Sequence, residues 1–117
     1  METITSSQEI SQAFAQGKRL HTRYLTLITM PARQHDLPGR VAFIAGKKLG
    51  NAVWRNGAKR RMREVCRALG GPCVGVDVIF LAKGSLLAAS YSKVLSACDE
   101  AMKRGGLHHD TEPEGSD

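Results

Sequence analysis

The segment from residue 46 to residue 67, GKKLGNAVWRNGAKRRMREVCR, has the residue types that bind phosphate groups. It contains five arginines and three lysines but a single acid, Glu64. On a helix, like charges four residues apart destabilise the helix by about 0.2–0.5 kcal/mol per pair. This pattern therefore indicates that an anion outside the chain binds the segment and balances its charge. The planar guanidinium of arginine can hold two phosphate oxygens or stack on an exposed base. The segment therefore predicts a nucleic-acid-binding helix, with an ordinary solvated face as the alternative.

A helical arrangement of this segment separates an apolar stripe from a cationic face. At about 100° per residue, the stripe consists of Ala58, Met62, Val65 and Leu69, with Trp54 at its edge. The cationic face recurs at intervals of four residues and is widened by two neighbours: Arg55, Lys59, Arg63 and Arg67, with Asn56 and Arg60. We expect the stripe to pack on a sheet and the cationic face to meet solvent or a partner.

Two lysines and two glycines precede this helix. The sequence AGKKLGN lacks the G-x-x-x-x-G-K-[ST] pattern of a nucleotide-binding loop, and no hydroxyl residue follows Lys47 or Lys48 to hold a magnesium ion. Gly50 would instead permit an unusual turn, and Asn51 would cap the helix or lie beside its start. The helix N-terminus and the two lysines are therefore predicted to receive a phosphate.

The elements around this helix predict an α+β sandwich of one sheet and its helices. They are a helix at 7–16, strands at 19–30 and 40–46, a helix at 51–69, a strand at 74–82 and a helix from 85 to Gly105. The first two strands are expected to pair as a hairpin across the turn PARQHDLPG. Residues 1–104 are predicted to form one domain, and the acidic residues 105–117 a disordered tail.

Composition limits the class of protein. The chain has 117 residues, 42% of them hydrophobic, which suits one compact domain, and its formal charge of +6 favours an anionic partner. Cys66, Cys73 and Cys98 form neither an even set nor a C-x-x-C pair, so buried free thiols in a reducing cytoplasm are expected. No apolar run approaches the roughly 20 residues that span a bilayer. A soluble cytoplasmic protein without a membrane partner is predicted.

One longer pattern is far more specific than these features. The stretch KKLGNAVWRNGAKRRMRE resembles the signature of the bacterial ribonuclease P protein component, approximately K-K-x-G-N-A-V-x-R-N-R-x-K-R-x-x-R-E. The preceding RVAFIA and the earlier FAQGKRLHTRYLTL are similar to other parts of that family. Three positions depart from it: Gly57 replaces the second arginine of Arg-Asn-Arg, and Ile10 and Ile28 stand where aromatics are frequent.

The resemblance implies a fold and a function. The fold is a small single-domain α/β sandwich with a mixed central sheet and a left-handed β-α-β crossover that carries the signature helix. The function is that of the accessory protein subunit of ribonuclease P, an endonuclease that removes the 5′ leader from precursor tRNA. In that family the RNA subunit performs the hydrolysis with bound Mg²⁺. We therefore expect no catalytic residue, no cofactor on the protein and no requirement for a protein partner.

The resemblance also assigns two sets of RNA-binding residues. The set matched to the catalytic RNA comprises Lys47, Lys48, Asn51, Arg55, Asn56, Lys59, Arg60 and Arg63, to which the charge pattern adds Arg67. The set matched to the leader comprises Phe14, Arg23 and Tyr24, to which strand alternation adds Thr26 and Ile28 on the face of Tyr24. Aromatic rings can stack on unpaired bases while cations follow the backbone. For Phe14, a place in the core is the alternative.

Two other classes of function stay open at this level. A structural RNA-binding protein of another ribonucleoprotein, of ribosomal or assembly type, would explain the charge but not the signature. An independent enzyme would need a catalytic or metal-binding constellation, and none can be assigned. His108 and His109 are adjacent, which is not the spacing of a preformed metal site, so no metal is assigned to protein side chains. A cleft for a single strand would distinguish the ribonuclease P subunit from a structural protein.

Overall fold

The computed structural model describes residues 1–33 and 36–107. In chain order they form α1 (Ser7–Gln16), β1 (Lys18–His21), β2 (Leu25–Pro31), β3 (Val41–Ile44), a 3₁₀ turn (Lys47–Leu49), α2 (Ala52–Ala68), β4 (Val76–Ala82) and α3 (Tyr91–Arg104). The predicted α+β class is confirmed. Within these two ranges, no helix is both long and apolar enough to cross a membrane. Residues 108–117 of the predicted tail lie outside the described residues.

The four strands form one mixed sheet in the order β1–β2–β4–β3. β2 pairs antiparallel with β1 and with β4, whereas β3 pairs parallel with β4. The chain between the two parallel strands contains α2, so β3, α2 and β4 form the expected β-α-β crossover, whose left-handed sense stays a prediction. β4 therefore lies between β2 and β3, both of which precede α2 in the chain.

The prediction of a single strand over 19–30 is wrong, because the chain turns at Thr22. The Thr22 hydroxyl oxygen accepts hydrogen bonds from the N–H groups of Tyr24 (3.1 Å) and Leu25 (3.0 Å) and donates to the Leu25 carbonyl (2.8 Å). Lys83, which follows β4, donates from Nζ to the Thr22 carbonyl at 2.5 Å. Side-chain bonds of this kind offer the backbone an alternative to strand pairing. β1 and β2 are therefore the two strands of a hairpin.

The predicted hairpin between the strands at 19–30 and 40–46 is also wrong. β4 lies between β2 and β3 and hydrogen-bonds to both. Its sequence VDVIFLA is almost wholly apolar, and its three middle residues Val78, Ile79 and Phe80 are buried. A strand with both faces buried is most stable inside a sheet. Burial of β4 between β2 and β3 therefore outweighs direct pairing of β2 with β3, which follows it in the sequence.

The helix predicted from residue 85 begins only at Tyr91. Arg61 of α2 donates from Nη1 to the carbonyls of Leu86 (3.2 Å) and Ala89 (2.7 Å), which holds this part of the chain in turns. Ser90 then caps α3, because its hydroxyl accepts the Lys93 N–H at 3.3 Å. The apolar run before Ser90 instead places Leu86 in the core.

The other two helices closely match their predicted bounds. α1 occupies the predicted residues, and the Ser6 hydroxyl accepts the Glu9 N–H at 3.3 Å. α2 begins after Asn51, whose side-chain oxygen accepts the Trp54 N–H at 2.9 Å. Asn51 is therefore the N-cap of α2, which settles the two alternatives that the sequence left open.

The sheet carries a hydrophobic cluster on each face. α2 and α3 cover the larger cluster, to which the strands contribute Leu25, Leu27, Val41, Val78, Phe80 and Ala82. α1 and the N-terminal segment cover the smaller cluster, which consists of Ile4, Ala13, Ile28, Ala42 and Ile79. β2 and β4 contribute to both clusters because alternate side chains of a strand point to opposite faces. At the margin of the smaller cluster, Ile44 and Leu81 are only half-buried. α1 therefore leaves part of this face of the sheet uncovered.

The three cysteines are buried free thiols, as predicted, and lie in the larger cluster. Burial raises the pKa of Cys66 to about 11 and the pKa values of Cys73 and Cys98 to about 12, from an ordinary value of 9.0. A pKa that folding raises means that the neutral thiol stabilises the folded state. This contribution is complete below pH 9 and is lost as the pH rises through 11 to 12.

We expect all three thiols of the native protein to resist alkylation by iodoacetamide at about pH 8, since only the thiolate reacts. In urea, all three should react. Mass spectrometry of the alkylated protein counts the modified thiols under both conditions. Equal rates of modification in native protein and in urea would contradict the burial of these side chains.

Candidate nucleic-acid interface

α2 packs its predicted apolar stripe on the sheet. Ala58, Met62 and Val65 are fully buried, and Leu69 and Trp54 are half-buried against the same cluster. The sequence also indicated which side of the helix would face outward. The residues opposite the stripe, among them Asn56, Arg60 and Arg67, are exposed.

The predicted cationic face of α2 consists of an exposed part and a half-buried part. Asn56, Arg60 and Arg67 are exposed, whereas Arg55, Lys59 and Arg63 are half-buried. Lys47 and Lys48 are exposed in the 3₁₀ turn and extend the positive charge beyond the N-terminus of α2. We call these eight residues the α2 cationic surface; Asn51 caps the helix at its border.

Contacts with the protein restrain two arginines of this surface. The Arg63 guanidinium carbon lies 5.2 Å from the centroid of the Phe43 ring, and the Phe43 and Phe80 rings lie 5.2 Å apart. A cation over an aromatic face is attracted by the ring and keeps its outer hydrogen-bond donors available. The Nε atom of Arg55 is buried and has no hydrogen-bond partner in the described residues. Both guanidinium groups are thus partly ordered by the fold.

No salt bridge compensates the α2 cationic surface in the part of the chain that the structure describes. The salt bridges found there involve Arg33, Arg40 and Lys103 instead. Glu64, the only acid of α2, is exposed. No acid of the described chain therefore lies within salt-bridge distance of these cations.

Sequence reasoning missed one exposed apolar side chain on this surface. Val53 is 81% exposed in the first turn of α2. On the helical wheel it lies opposite the apolar stripe and next to Arg60, which is the signal that could have identified it. A single exposed valine is common on protein surfaces. Val53 therefore marks the side of α2 that faces away from the sheet.

The uncovered part of the opposite sheet face is lined by one residue from each strand. His21 pairs with Thr26, Thr26 with Leu81, and Leu81 with Ile44, so the four side chains form a row across the sheet. His21 is exposed, and its Nδ1 lies 3.2 Å from the Thr26 hydroxyl oxygen. The neighbouring row, Arg19, Ile28, Ile79 and Ala42, leads into the cluster under α1. We call the row His21, Thr26, Leu81 and Ile44, with Phe14 and Arg19 beside it, the sheet groove.

Phe14 and Arg19 form a stacked pair beside this row. Phe14 is 36% exposed on α1, and the Arg19 guanidinium carbon lies 5.8 Å from the centroid of its ring. Arg19 also donates from Nη2 to the Phe14 carbonyl at 3.0 Å. Phe14 is therefore a surface residue with a cation beside it, and the alternative of a fully buried core position does not apply.

The structure does not bring the whole predicted leader set together. Thr26 is 4% exposed and Ile28 is fully buried, both on the α1 side of the sheet. Tyr24 belongs to the β1–β2 turn and packs on the larger cluster, so the prediction that it shares a face with Thr26 and Ile28 is wrong. With Arg23, it lines a separate groove against α3, together with Ser92, Lys93, Ser96, Ala97 and Glu100.

Sequence reasoning also missed the residues of the sheet groove other than Phe14 and Thr26. His21 and Arg19 were hidden by the assignment of one strand to residues 19–30. Once β1 and β2 are recognised as a hairpin, their alternation places both residues on the α1 face. Ile44 and Leu81 could not be assigned to this groove because the wrong strand pairing kept them apart. Within residues 1–33 and 36–107, no group of three histidines, cysteines or acids is arranged to hold a metal ion.

Comparison with known proteins decides the family. A family model described as Ribonuclease P matches residues 1–106. The chain belongs to the bacterial ribonuclease P protein family. The ribonuclease P protein component of Symbiobacterium thermophilum is 34% identical over 106 residues, which cover 89% of this chain and 90% of that protein. The component from Arthrobacter is 34% identical over 108 residues, covering 88% of this chain and 79% of that protein.

Solved structures of ribonuclease P proteins have the same fold. The Staphylococcus aureus protein superposes with a TM-score of 0.78 at 21% identity, covering 93% of this chain and 99% of that chain. The Thermotoga maritima protein gives a TM-score of 0.72 at 20% identity, covering 89% and 97%. The resemblance drawn from the signature is therefore confirmed at the level of family and of fold.

Two adjacent arginines of α2 are expected to differ in their effect on stability. Arg61 donates to two carbonyls of the turns before α3, so Arg61→Ala should lower the free energy of unfolding by about 1–3 kcal/mol. Arg60 is exposed and forms no salt bridge in the described residues, so Arg60→Ala should change it by less than about 0.5 kcal/mol. Urea unfolding monitored by circular dichroism measures both. Equal effects would contradict the structural role of Arg61.

Proposed function

We propose that this chain is the protein subunit of a ribonuclease P holoenzyme, which binds the catalytic RNA through the α2 cationic surface and the 5′ leader of precursor tRNA through the sheet groove. The observation that supports it best is the presence of two surfaces with different chemistry on opposite faces of one sheet. One surface is cationic and lacks salt bridges in the described residues. The other is a row of apolar and polar side chains bordered by an aromatic ring and an arginine.

The α2 cationic surface suits a folded RNA with closely spaced phosphates. Its exposed members, among them Arg60, Arg67, Lys47 and Lys48, can each neutralise a phosphate, and release of counterions then favours binding. Arg63, held over Phe43, presents its guanidinium with less loss of side-chain freedom than a fully mobile arginine. Arg55, half-buried on the same face, adds to the positive charge there. Binding would thus relieve the repulsion within α2.

The sheet groove suits a single strand instead of a duplex. Phe14 offers a half-exposed ring on which a base can stack, and Arg19 beside it can contact the adjoining phosphate. Leu81 and Ile44 provide an apolar floor, and the exposed His21 adds a polar group at its edge. Such a surface tolerates many base sequences, because every base has a flat face. Arg23 and Tyr24 lie outside this groove, so we leave them out of the proposed leader site.

The protein in this proposal contributes binding and the RNA contributes chemistry. The catalytic RNA with bound Mg²⁺ would hydrolyse the phosphodiester bond, and no side chain of the protein is assigned to that step. By neutralising phosphates and holding the leader, the protein would lower the electrostatic cost of bringing two RNAs together. The requirement for Mg²⁺ should therefore be smaller when the protein is present.

The two surfaces are expected to respond to different substitutions. Arg60→Ala and Arg63→Ala should weaken binding to the ribonuclease P RNA, because each removes a cation from the α2 surface. Phe14→Ala should leave that affinity unchanged and weaken binding of precursor tRNA by the assembled holoenzyme by about 1–3 kcal/mol, the range for one stacked base. Filter binding with leader-bearing and leaderless tRNA measures both affinities.

The control for this test is Gln12→Ala, an exposed position on the same helix as Phe14. It should change neither affinity. Equal effects of the arginine and phenylalanine substitutions on both RNAs would refute the proposal of two surfaces. Cleavage of a labelled precursor tRNA at low Mg²⁺, with and without the protein, tests the holoenzyme role; binding without any support of cleavage by the cognate RNA would favour the structural ribonucleoprotein instead.

A further inference from the structure

A half-buried ion cluster connects α1 to the sheet at the end of the helix that lies away from β1. Arg40, immediately before β3, donates from Nη1 to Glu9 Oε1 (3.3 Å) and from Nη2 to Glu9 Oε2 (2.5 Å). The same Nη2 donates to Asp77 Oδ2 of β4 at 3.0 Å, and the Arg40 backbone N–H donates to Asp77 Oδ1 at 2.7 Å. One guanidinium therefore joins a helix to two strands. We call Glu9, Arg40 and Asp77 the ion cluster.

The side chains of the ion cluster are partly shielded from solvent. The Arg40 and Asp77 side chains are 17% and 12% exposed, and the Glu9 side chain is 34% exposed. The hydrogen bonds from Arg40 lower the pKa of Glu9, so this carboxylate stays ionised at neutral pH. Arg33 also lies near Glu9, at 3.7 Å, but its side chain is 80% exposed. Bidentate geometry fixes orientation as well as distance, which a single lysine contact would not do.

α1 depends on such a connection because little of its own surface is buried in the core. A helix of ten residues is marginal in isolation, so its packing must hold it in place. Ala13 is its only buried residue, and Ile10 is half-buried. Its other end is fixed at Gly17, where an added Cβ would lie 2.6 Å from Ile28 Cγ2 on β2. The ion cluster attaches the opposite end of the helix and, together with Gly17 and the bond from Arg19 to the Phe14 carbonyl, sets the direction of α1 across the sheet.

We propose that Arg40 is a positioning residue for the sheet groove: through Glu9 it fixes the direction of α1, and so sets where the Phe14 ring stands relative to a strand bound beside it. This inference rests on the proposed leader binding by the groove. Phe14 lies between the two points of attachment, five residues after Glu9 and three before Gly17. Loss of the ion cluster should therefore displace Phe14 while leaving α2, on the other face of the sheet, in place.

The test compares two substitutions in the assembled holoenzyme. Glu9→Ala detaches α1 but keeps the bonds between Arg40 and Asp77, whereas Arg40→Met removes the whole connection. Each should reduce the ratio of affinities for leader-bearing and leaderless tRNA by about fivefold or more, the lower end of the contribution of one stacked base. Arg40→Lys should restore part of the loss. Arg33→Met is the matched control, because it removes the exposed neighbour of Glu9 and should leave the ratio unchanged.

A double substitution separates positioning from a direct effect. If Arg40 acts through Phe14, Glu9→Ala should cause no further loss of the ratio in a Phe14→Ala background. Additive losses would overturn the proposal, as would equal loss of affinity for the ribonuclease P RNA, which would indicate general damage to the fold. An unchanged ratio in Glu9→Ala, with a reduced ratio in Phe14→Ala, would overturn the positioning role alone. An unchanged ratio in Phe14→Ala would overturn leader binding by the groove, and the positioning role with it.

Discussion

The pairing of β4 with β2 on one side and with β3 on the other determines both candidate surfaces. Parallel pairing with β3 requires a crossover, and α2 is that crossover, so the signature helix lies on one face of the sheet. Antiparallel pairing with β2 brings Thr26 opposite Leu81, and the parallel neighbour adds Ile44 to the same row. A shift of β4 by one residue would exchange the faces of all its side chains and would remove the groove.

Charged side chains are arranged differently around α1 and on α2. Near the N-terminal end of α1, acids and arginines are paired in a half-buried ion cluster. On α2, the cations have no salt bridges in the described residues, and the helix is held by its Asn51 cap, its buried stripe and the bonds of Arg61 to the turns before α3. Packing thus offsets the repulsion within α2 and leaves its positive charge available to an RNA. The paired charges near α1 instead hold this helix in its orientation on the sheet.

Local signals predicted α1 and α2 well, but they misplaced the start of α3 and the strand pairing. Ser6 and Asn51 mark helix starts by chemistry that acts within three residues, and the stripe of α2 has a regular period, so both can be read from sequence. The turn at Thr22 and the bonds of Arg61 to Leu86 and Ala89 depend on tertiary contacts and side-chain bonding that periodicity does not report. The signature identified the α2 surface because its residues are contiguous. The groove is formed by five separate elements, α1 and the four strands. Its residues could therefore be assigned only once the pairing and register of the strands were known.

The central claim is that the two faces of the sheet contact different RNAs. Photo-crosslinking tests it most directly, with benzoylphenylalanine placed at Phe14 in one variant and at Val53 in another, each assembled with ribonuclease P RNA and a leader-bearing precursor tRNA. Both positions are accessible, and they belong to opposite faces. The account predicts that the probe at position 14 links to the 5′ leader and the probe at position 53 to the ribonuclease P RNA. Crosslinks from both positions to the same RNA, or from position 53 to the leader, would contradict it.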